Sequence, residues 1–526
     1  MRTSFTLLLL AILPVFLLAQ WSNDPYQNTA IAVAQNEQAL PKTVMHPSGI
    51  TYVSWYSIEN SNYNVRLQKF DIYGVKQWAE EGLLVSNHES MTWLTDWDLA
   101  VDNDACAIIT FQDIRNGDNN IYAYRISPEG DFLWGSDGVA LSNNPDFEGS
   151  PVVTVTSLNN CVFAWARDNT IMVQKLSSDG VKQWGEEGIQ LQGTDTYAWP
   201  FIVPSDDDGV IMSFFKQTGP SWAPTKNVYA QRFSSDGQFM WGDGIIITNN
   251  DAIPVYVKTK IISDKNGGAF IVWHRDNGSY FDSYVQHVNG AGNLGFPANG
   301  LAVSLSSGTH QIDPIIAYNQ SSEELFVAWR EQSFNQSNRG ISAQKISLSG
   351  IRLWGDAGKV VAPMESGEKA GLNLVLDSNE AIISYFDSPS GNNYFVKAAK
   401  LSNSGDLVWE GGQVPVSLVA SGKMHNDATE FFNGQFVIVW ADSRNDSGDI
   451  YAQNLKGDGT LGSVLTIIPG DANCDGIVDV LDVITISSFI TGLNPQPFCP
   501  DNADVNNDGI IDLLDVIAIV NLILRL

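Results

Sequence analysis

Cysteine is nearly missing from this chain, with four among 526 residues. That excludes a scaffold built on disulfides. Basic residues are scarce too: 29 Lys and Arg stand against 59 Asp and Glu, a net charge of −30. So acidic a chain excludes nucleic acid as a partner, because phosphate binding needs basic patches. Histidine occurs six times, at His46, His88, His274, His287, His310 and His425, never at metal-ligand spacing. GxSxG, HExxH and Walker-type phosphate loops are absent, which removes the enzyme classes they mark. After the first twenty residues no apolar run reaches the ~20 residues that a membrane span takes.

What is present begins with a leader. "MRTSFTLLLLAILPVFLLAQ" has Arg2 ahead of an apolar stretch from Leu7 to Leu18, then the small Ala19. The stretch fits the ~7–15 apolar residues of an export signal and is too short for an anchor. The sequence therefore predicts cleavage after Ala19, an exported or cell-surface protein, and no membrane span in the mature chain.

The middle of the chain is one unit written eight times. "YRISPEGDFLWGSDGVALS", "QKLSSDGVKQWGEEGIQLQ" and "QRFSSDGQFMWGDGIIITN" are three of its copies. One glycine anchors each unit, at Gly74, Gly130, Gly180, Gly237, Gly292, Gly350, Gly405 and Gly459, with spacings of 56, 50, 57, 55, 58, 55 and 54. Such a period marks a repeat architecture. Within a unit four short runs rich in β-branched and aromatic residues alternate with Asn, Asp, Gly and Ser, as in "PVVTVTS", "CVFAWAR", "IMVQKLS" and "GIQLQ". These read as strands and turns. No 3.6-residue periodicity runs through the units, so helical solenoids are out. Four strands per unit predict a mainly β fold, an eight-bladed propeller of four-stranded blades.

The recurring residues read as scaffold. A glutamine lies six residues before most turn glycines, and a tryptophan four residues after six of them, at Trp78, Trp134, Trp184, Trp241, Trp354 and Trp409. These rings are expected to fill the wedge between blades. "IAVAQN", at Ile31, resembles a fourth strand and is expected to complete blade eight, with "SVLTI" at Ser463 as the competing strand. Function belongs where copies differ. Trp93, Trp97, Tyr197, Trp199 and Trp222 lie in such loops and are candidates for stacking on sugar rings, the alternative being that they cover the blade ends. "SSDGVKQW" sets Asp179 directly before Gly180, which breaks the Asp-box of sialidase propellers.

Beyond the last repeat, "DANCDGIVDVLD" places Asp471, Asn473, Asp475, Ile477, Asp479 and Asp482 at positions 1, 3, 5, 7, 9 and 12 of a loop, with Gly476 at 6. "DVNNDGIIDLLD" repeats the spelling with Asp504, Asn506, Asp508, Ile510, Asp512 and Asp515. Alternating oxygen donors around a turn glycine are the pattern of a calcium loop, and hard oxygen ligands favour Ca²⁺ over Zn²⁺. From Gly470 onward nine Asp face one basic residue, Arg525. Such a module needs cations to offset its self-repulsion. Cys474 and Cys499 flank the first helical stretch and are the candidates for a bonded pair. For Cys106 and Cys161 the sequence leaves both a bond and buried free thiols open.

Two loop-then-helix units, each with Asp rather than Glu at position 12, resemble a dockerin domain, over roughly Pro469 to Leu526. The resemblance implies two Ca²⁺ ions held by the twelve residues just named. It also implies a cohesin-like partner recognised through loop positions 10 and 11, here Val480, Leu481, Leu513 and Leu514. Many members carry Ser-Thr there, where this chain has apolar pairs. The second helix, "LLDVIAIVNLIL", is apolar nearly all round, so a cohesin-like module or the chain's own propeller is expected to cover it.

The sequence thus predicts a leader over 1–19, a propeller over 20–468 and a dockerin-like domain over 469–526. The expected function is binding of a carbohydrate or protein by the propeller, with attachment through the calcium module and no catalytic residue assigned. A polysaccharide-degrading hydrolase or lyase is the first alternative. A structural surface protein with a calcium-stabilised cap is the second.

Overall fold

The computed structural model describes residues 20–524, apart from 91–96, 221–223, 250–252, 464–467, 475–476, 494, 496–497 and 507. The chain divides into two compact units, Met1–Ser463 and Val464–Leu526.

The first unit is an eight-bladed β-propeller of four-stranded antiparallel sheets. Blade three is representative: Glu148–Val155, Cys161–Arg167, Thr170–Leu176 and Ile189–Leu191 pair in chain order. The first strands of successive blades touch one another around the ring, and Lys423–Ala428 of blade eight meets Gln38–Met45 of blade one. Blade eight takes its outer strand from the other end of the chain. Thr29–Ala32 pairs antiparallel with Asp449–Lys456, Thr29 opposite Ala452 and Ala32 opposite Ile450. The N-terminal segment therefore closes the ring as expected, with Ile31 and Ala32 of "IAVAQN" in the strand, and blade eight reaches the same four strands as the other blades. The competing "SVLTI" lies almost wholly outside the described residues.

The repeated residues hold blade to blade. The aromatic that ends each second strand is Trp55, Phe111, Trp165, Phe215, Trp273, Trp329, Tyr385 or Trp440, and all are at most 1% exposed. Burial of each such ring stabilises by about 1.5–3 kcal/mol. The wedge tryptophan of one blade lies over the turn glycine of the next: a Cβ on Gly180 would stand 2.7 Å from Trp134 Cδ1. Trp134, Trp184, Trp241, Trp354 and Trp409 also donate Nε1–H to a turn carbonyl of the next blade, as Trp134 does to Ser178 O at 2.9 Å. The repeated glutamine explains itself equally well. Gln174 Nε2 donates to Gly185 O at 2.7 Å while its Oε1 accepts from Trp184 N at 3.2 Å, clasping the segment that leads to the fourth strand. Gln68, Gln231, Gln286 and Gln344 make the same pair of bonds.

Blade eight borrows these devices from the N-terminal segment. Gln453 donates to Ser22 O, and Trp21 lies over Gly74 as the wedge tryptophans do elsewhere. Its ring stacks on Phe70 with centroids 5.3 Å apart.

Candidate functional site

The second unit holds three helices: α1 (Val480–Ile490), the single turn α2 (Pro500–Ala503) and α3 (Leu513–Leu524). Its core is small, Ala472, Ile486, Ala503 and Ile519, with partly buried Val478, Phe498 and Ile511 around them. The position-12 aspartates organise both loops. Asp482 is fully buried; its Oδ1 accepts from Asn473 N at 3.0 Å and its Oδ2 from Asp479 N at 2.8 Å. Asp515 is equally buried, accepting from Asn506 N at 3.2 Å and Val505 N at 2.8 Å through Oδ1, and from Asp512 N at 2.9 Å through Oδ2. One carboxylate thus ties the front of each loop to its end. Position 9 then caps the helix: Asp479 Oδ1 accepts from Leu481 N and Asp512 Oδ1 from Leu514 N, each at 2.7 Å.

In the second loop Asp504, Asn506 and Asp508 converge. Asp504 accepts from Asp508 N at 3.1 Å and Gly509 N at 2.8 Å, and Asn506 Nδ2 donates to Asp508 Oδ2 at 2.9 Å. In the first loop Asp471 is buried, and Asp475 lies outside the described residues. Among the described residues no three Asp, Glu, His or Cys side chains gather closely enough to form a ready cage. The donors fit a hard cation in kind, all of them carboxylate, amide or carbonyl oxygens on loops already closed by Asp482 and Asp515. Asn502, which the loop spelling does not mark, joins the two halves. Its Nδ2 donates to Asp471 O at 2.9 Å and its Oδ1 accepts from Ile468 N at 3.0 Å. A disulfide links Cys474 to Cys499, with Cα atoms 5.8 Å apart. Cys106 and Cys161 are free and buried.

The loop-position pairs Val480–Leu481 and Leu513–Leu514 are all more than half exposed, and Ile484 and Ile517 extend them by one turn. The duplication therefore presents the same apolar stripe twice.

In the propeller the first strands line an axial cavity. One part, about 490 Å³, is bounded by Lys42, Trp97, Lys260, Asn373, His425 and Asp427 among others. An adjoining part of about 280 Å³ shares Lys42, Trp97 and Lys260 and adds Asp98, Trp199 and Lys258. Among the described residues six of the eight first strands bulge near this end, and each bulge holds one residue at positive φ: Leu40 (52°), Ser150 (52°), Trp199 (55°), Asp313 (52°), Gly371 (59°) and His425 (51°). Five of these are not glycine, and residues held there cost about 1–3 kcal/mol each. A bulge bends its strand and re-aims side chains.

Of the stacking candidates, Trp93 and Trp222 lie outside the described residues. Trp97 does not offer an open ring: it is 2% exposed and meets Tyr56 edge-on, centroids 5.3 Å apart. A large apolar ring beside Tyr56 is more stable buried than in water, which overrides its loop position. Its Nε1, however, has no acceptor among the described residues. Tyr197 is half-buried against Phe214, centroids 5.8 Å apart. Trp199 is half-buried at its bulge, with Lys258 Nζ 4.4 Å from its ring centre. The three cavity lysines escaped the sequence reading, although lysine is rare enough here for "PKT" and "VKTK" to have drawn notice.

Fold and loops together define a β-propeller protein with a C-terminal calcium-loop module. Residues 469–524 match the family model described as "Dockerin type I domain", so the chain carries a dockerin type I domain at its C-terminus. Dockerin domains bind calcium and pair with cohesins. No curated protein matches the sequence. Among solved structures the chain is similar to a PL25 polysaccharide lyase, an ulvan lyase: 10% identity, 83% of this chain and 98% of that one covered, TM-score 0.49. The polysaccharide lyase Uly1 gives 9%, 81%, 91% and 0.44. The WD40 domain of SCAP from fission yeast gives 9%, 84%, 98% and 0.43. Likenesses this distant bear on neither substrate nor activity. Among the described residues no helix is long and apolar enough to cross a membrane.

Proposed function

We propose that the chain is an exported binding protein. Its propeller (20–468) recognises a carbohydrate, and its C-terminal domain (469–526) fastens it to a cohesin-bearing partner when calcium is bound. The observation that carries the attachment is the duplicated closure by Asp482 and Asp515 beside the exposed pairs Val480–Leu481 and Leu513–Leu514. Two Ca²⁺ ions are proposed, one per loop. Asp471, Asn473, Asp475, Asp479 and Asp482, with the Ile477 carbonyl, would hold the first. Asp504, Asn506, Asp508, Asp512 and Asp515, with the Ile510 carbonyl, would hold the second. The ions would supply positive charge among nine aspartates that only Arg525 otherwise offsets, and would stiffen the loops that present the apolar stripe.

Calorimetric titration of the full chain tests this. About two Ca²⁺ per chain are expected, and Asp482→Ala and Asp515→Ala should each abolish one site. A chain that takes up no calcium would overturn the attachment reading. Incubation with a polysaccharide panel tests the propeller: retention without products supports binding, and release of shortened products would replace it with a degrading enzyme.

A further inference from the structure

A row of aromatic rings crosses from blade five to blade six, at the end of the propeller where the first strands bulge. Tyr256 precedes the first strand of blade five, His274 lies on the second (Ala269–Asp276) and Phe281 begins the third (Phe281–Val288). His310 lies on the first strand of blade six (Thr309–Asn319), and Phe334 follows the second (Glu324–Ser333). Ring centroids are 5.9 Å apart from Tyr256 to His274 and again from His274 to Phe281, 5.1 Å from Phe281 to His310 and 6.0 Å from His310 to Phe334. Both ends of the row are open: Tyr256 is 63% and Phe334 68% exposed. Half-buried Tyr280 meets Phe334 edge-on, centroids 6.0 Å apart.

The middle of the row supports its ends. His274 and His310 are buried. His274 Nδ1 accepts from Asp313 N at 3.2 Å, and His310 Nδ1 from Phe281 N at 3.1 Å, so each bond fixes a ring and ties blade five to blade six. Burial holds the pKa of His274 down at about 4, which leaves its ring uncharged at neutral pH under Tyr256. The exposed rings sit on clamped turns. Buried Lys226 donates to Val255 O at 2.7 Å and to Val257 O at 3.2 Å, on either side of Tyr256. Asn338 N donates to Ser333 Oγ at 3.0 Å and Ser337 Oγ to Asn335 Oδ1 at 2.8 Å, closing the turn that carries Phe334. Asn277 Oδ1 accepts from Tyr280 N at 2.9 Å. Rings held this way lose little freedom when a ligand arrives.

Exposed aromatic clusters mark places where something binds, and two observations narrow what it is. The hydroxyls of Tyr256 and Tyr280 have no hydrogen-bond partner among the described residues, so the apolar faces are flanked by groups that bond a ligand's hydroxyls. Arg330 stands 3.2 Å from carboxylate oxygens of both Asp313 and Glu368, and Arg339 3.0 Å from Glu368. With these cations committed, in a chain of net charge −30, an uncharged ligand is favoured over an anion. An apolar face rimmed by hydroxyls and free of charge describes a neutral sugar ring. Three rings separate Tyr256 from Phe334, so covering both ends takes a chain of sugars rather than one.

We propose that this row binds an uncharged oligosaccharide laid across blades five and six, with one sugar ring on Tyr256 and another on Phe334. The proposal rests on the carbohydrate-binding reading above and names its place and ligand class.

The test uses the full-length protein in calcium, with cellohexaose, xylohexaose and mannohexaose as neutral probes, their monosaccharides as short controls and oligogalacturonate as the acidic control. At least one hexaose is expected to bind, more tightly than its monosaccharide. Tyr256→Ala and Phe334→Ala should each weaken it about threefold to tenfold, one aromatic contact being lost in each. Both side chains are exposed, so unfolding temperature should be unchanged. Binding should also hold when salt rises from about 0.01 to about 1 M and the screening length falls from about 30 to about 3 Å. A double variant that binds the hexaose like the parent overturns the proposal while leaving carbohydrate binding standing. So does tighter binding of oligogalacturonate, or a steep loss with salt. Failure of all three hexaoses overturns it too, and the carbohydrate-binding reading falls as well if the wider polysaccharide panel is not retained. A proline-rich peptide bound as tightly as the hexaose, and lost in the same double variant, would make the row a peptide site and overturn the saccharide assignment.

Discussion

Asp442 shows how one side chain sets the conditions under which blade eight holds. It is 1% exposed. Its Oδ2 accepts from Arg444 Nη2 at 2.6 Å and Trp440 Nε1 at 2.9 Å and faces Lys423 Nζ at 3.1 Å. Burial pushes its pKa up, but the Arg444 hydrogen bond and the Lys423 charge outweigh burial and hold it at about 2, below the ordinary 3.8. A carboxyl depressed in the folded state contributes its stability above the unfolded value and loses it as pH falls through the folded one. The contribution is therefore full above 3.8 and lost towards 2, about 2 kcal/mol in all. Asp442→Asn should lower stability at neutral pH and flatten the acid limb in that window, measured by urea unfolding across pH. A variant whose acid limb ran parallel to the parent's would contradict this account. At the same scale, the loop aspartates were legible because each calcium loop is spelled within twelve consecutive residues. Asn502 was not, because the carbonyl it holds belongs to Asp471, 31 residues away.

Among the elements, the hairpin turns make a sharper experiment possible. Gly180 and Gly185 sit in the same blade with nearly equal torsions, φ 80° and 81°. A Cβ on Gly180 would run into Trp134, whereas on Gly185 it would meet nothing within 4 Å. Gly185→Ala should therefore cost only the left-handed strain, about 1–2 kcal/mol. Gly180→Ala should cost that plus the displacement of a packed ring, about 1–3 kcal/mol more. Chemical unfolding of the two variants gives the difference, and equal losses would mean that the wedge tryptophan adds nothing to blade packing. The turns, wedge rings and clasping glutamines could all be read from sequence because each blade makes the same demand and repeats the same residue. The bulges could not. "ALPKTV", "SPVVTV" and "AWPFIV" share a proline directly after the strained residue, but a residue before proline is expected to be extended rather than left-handed, so the shared proline did not point to the ring of strained positions. Trp97 likewise reads as a loop aromatic until the fold turns it against Tyr56.

For the molecule as a whole, the decisive contact joins Thr29–Ala32 to Asp449–Lys456. Asn28 reinforces it, donating to Val416 O at 3.2 Å and accepting from Ser417 Oγ at 2.7 Å and Arg444 Nη2 at 3.0 Å. Removal of residues 20–34 should strip blade eight of its outer strand and Gly74 of its covering Trp21. We expect a lower unfolding temperature and self-association through the bared edge, read by calorimetry and by light scattering after size exclusion. A truncated chain that stays monomeric with an unchanged unfolding temperature would show the strand to be dispensable. The same contact also sets a timetable. The ribosome makes Ala32 early and Ile450, its partner, 418 residues later. At about 5–20 residues per second the first strand waits roughly 20–80 s for the last blade. Seven blades can form meanwhile, but each nascent chain must keep one short apolar strand from premature pairing until its own far end arrives.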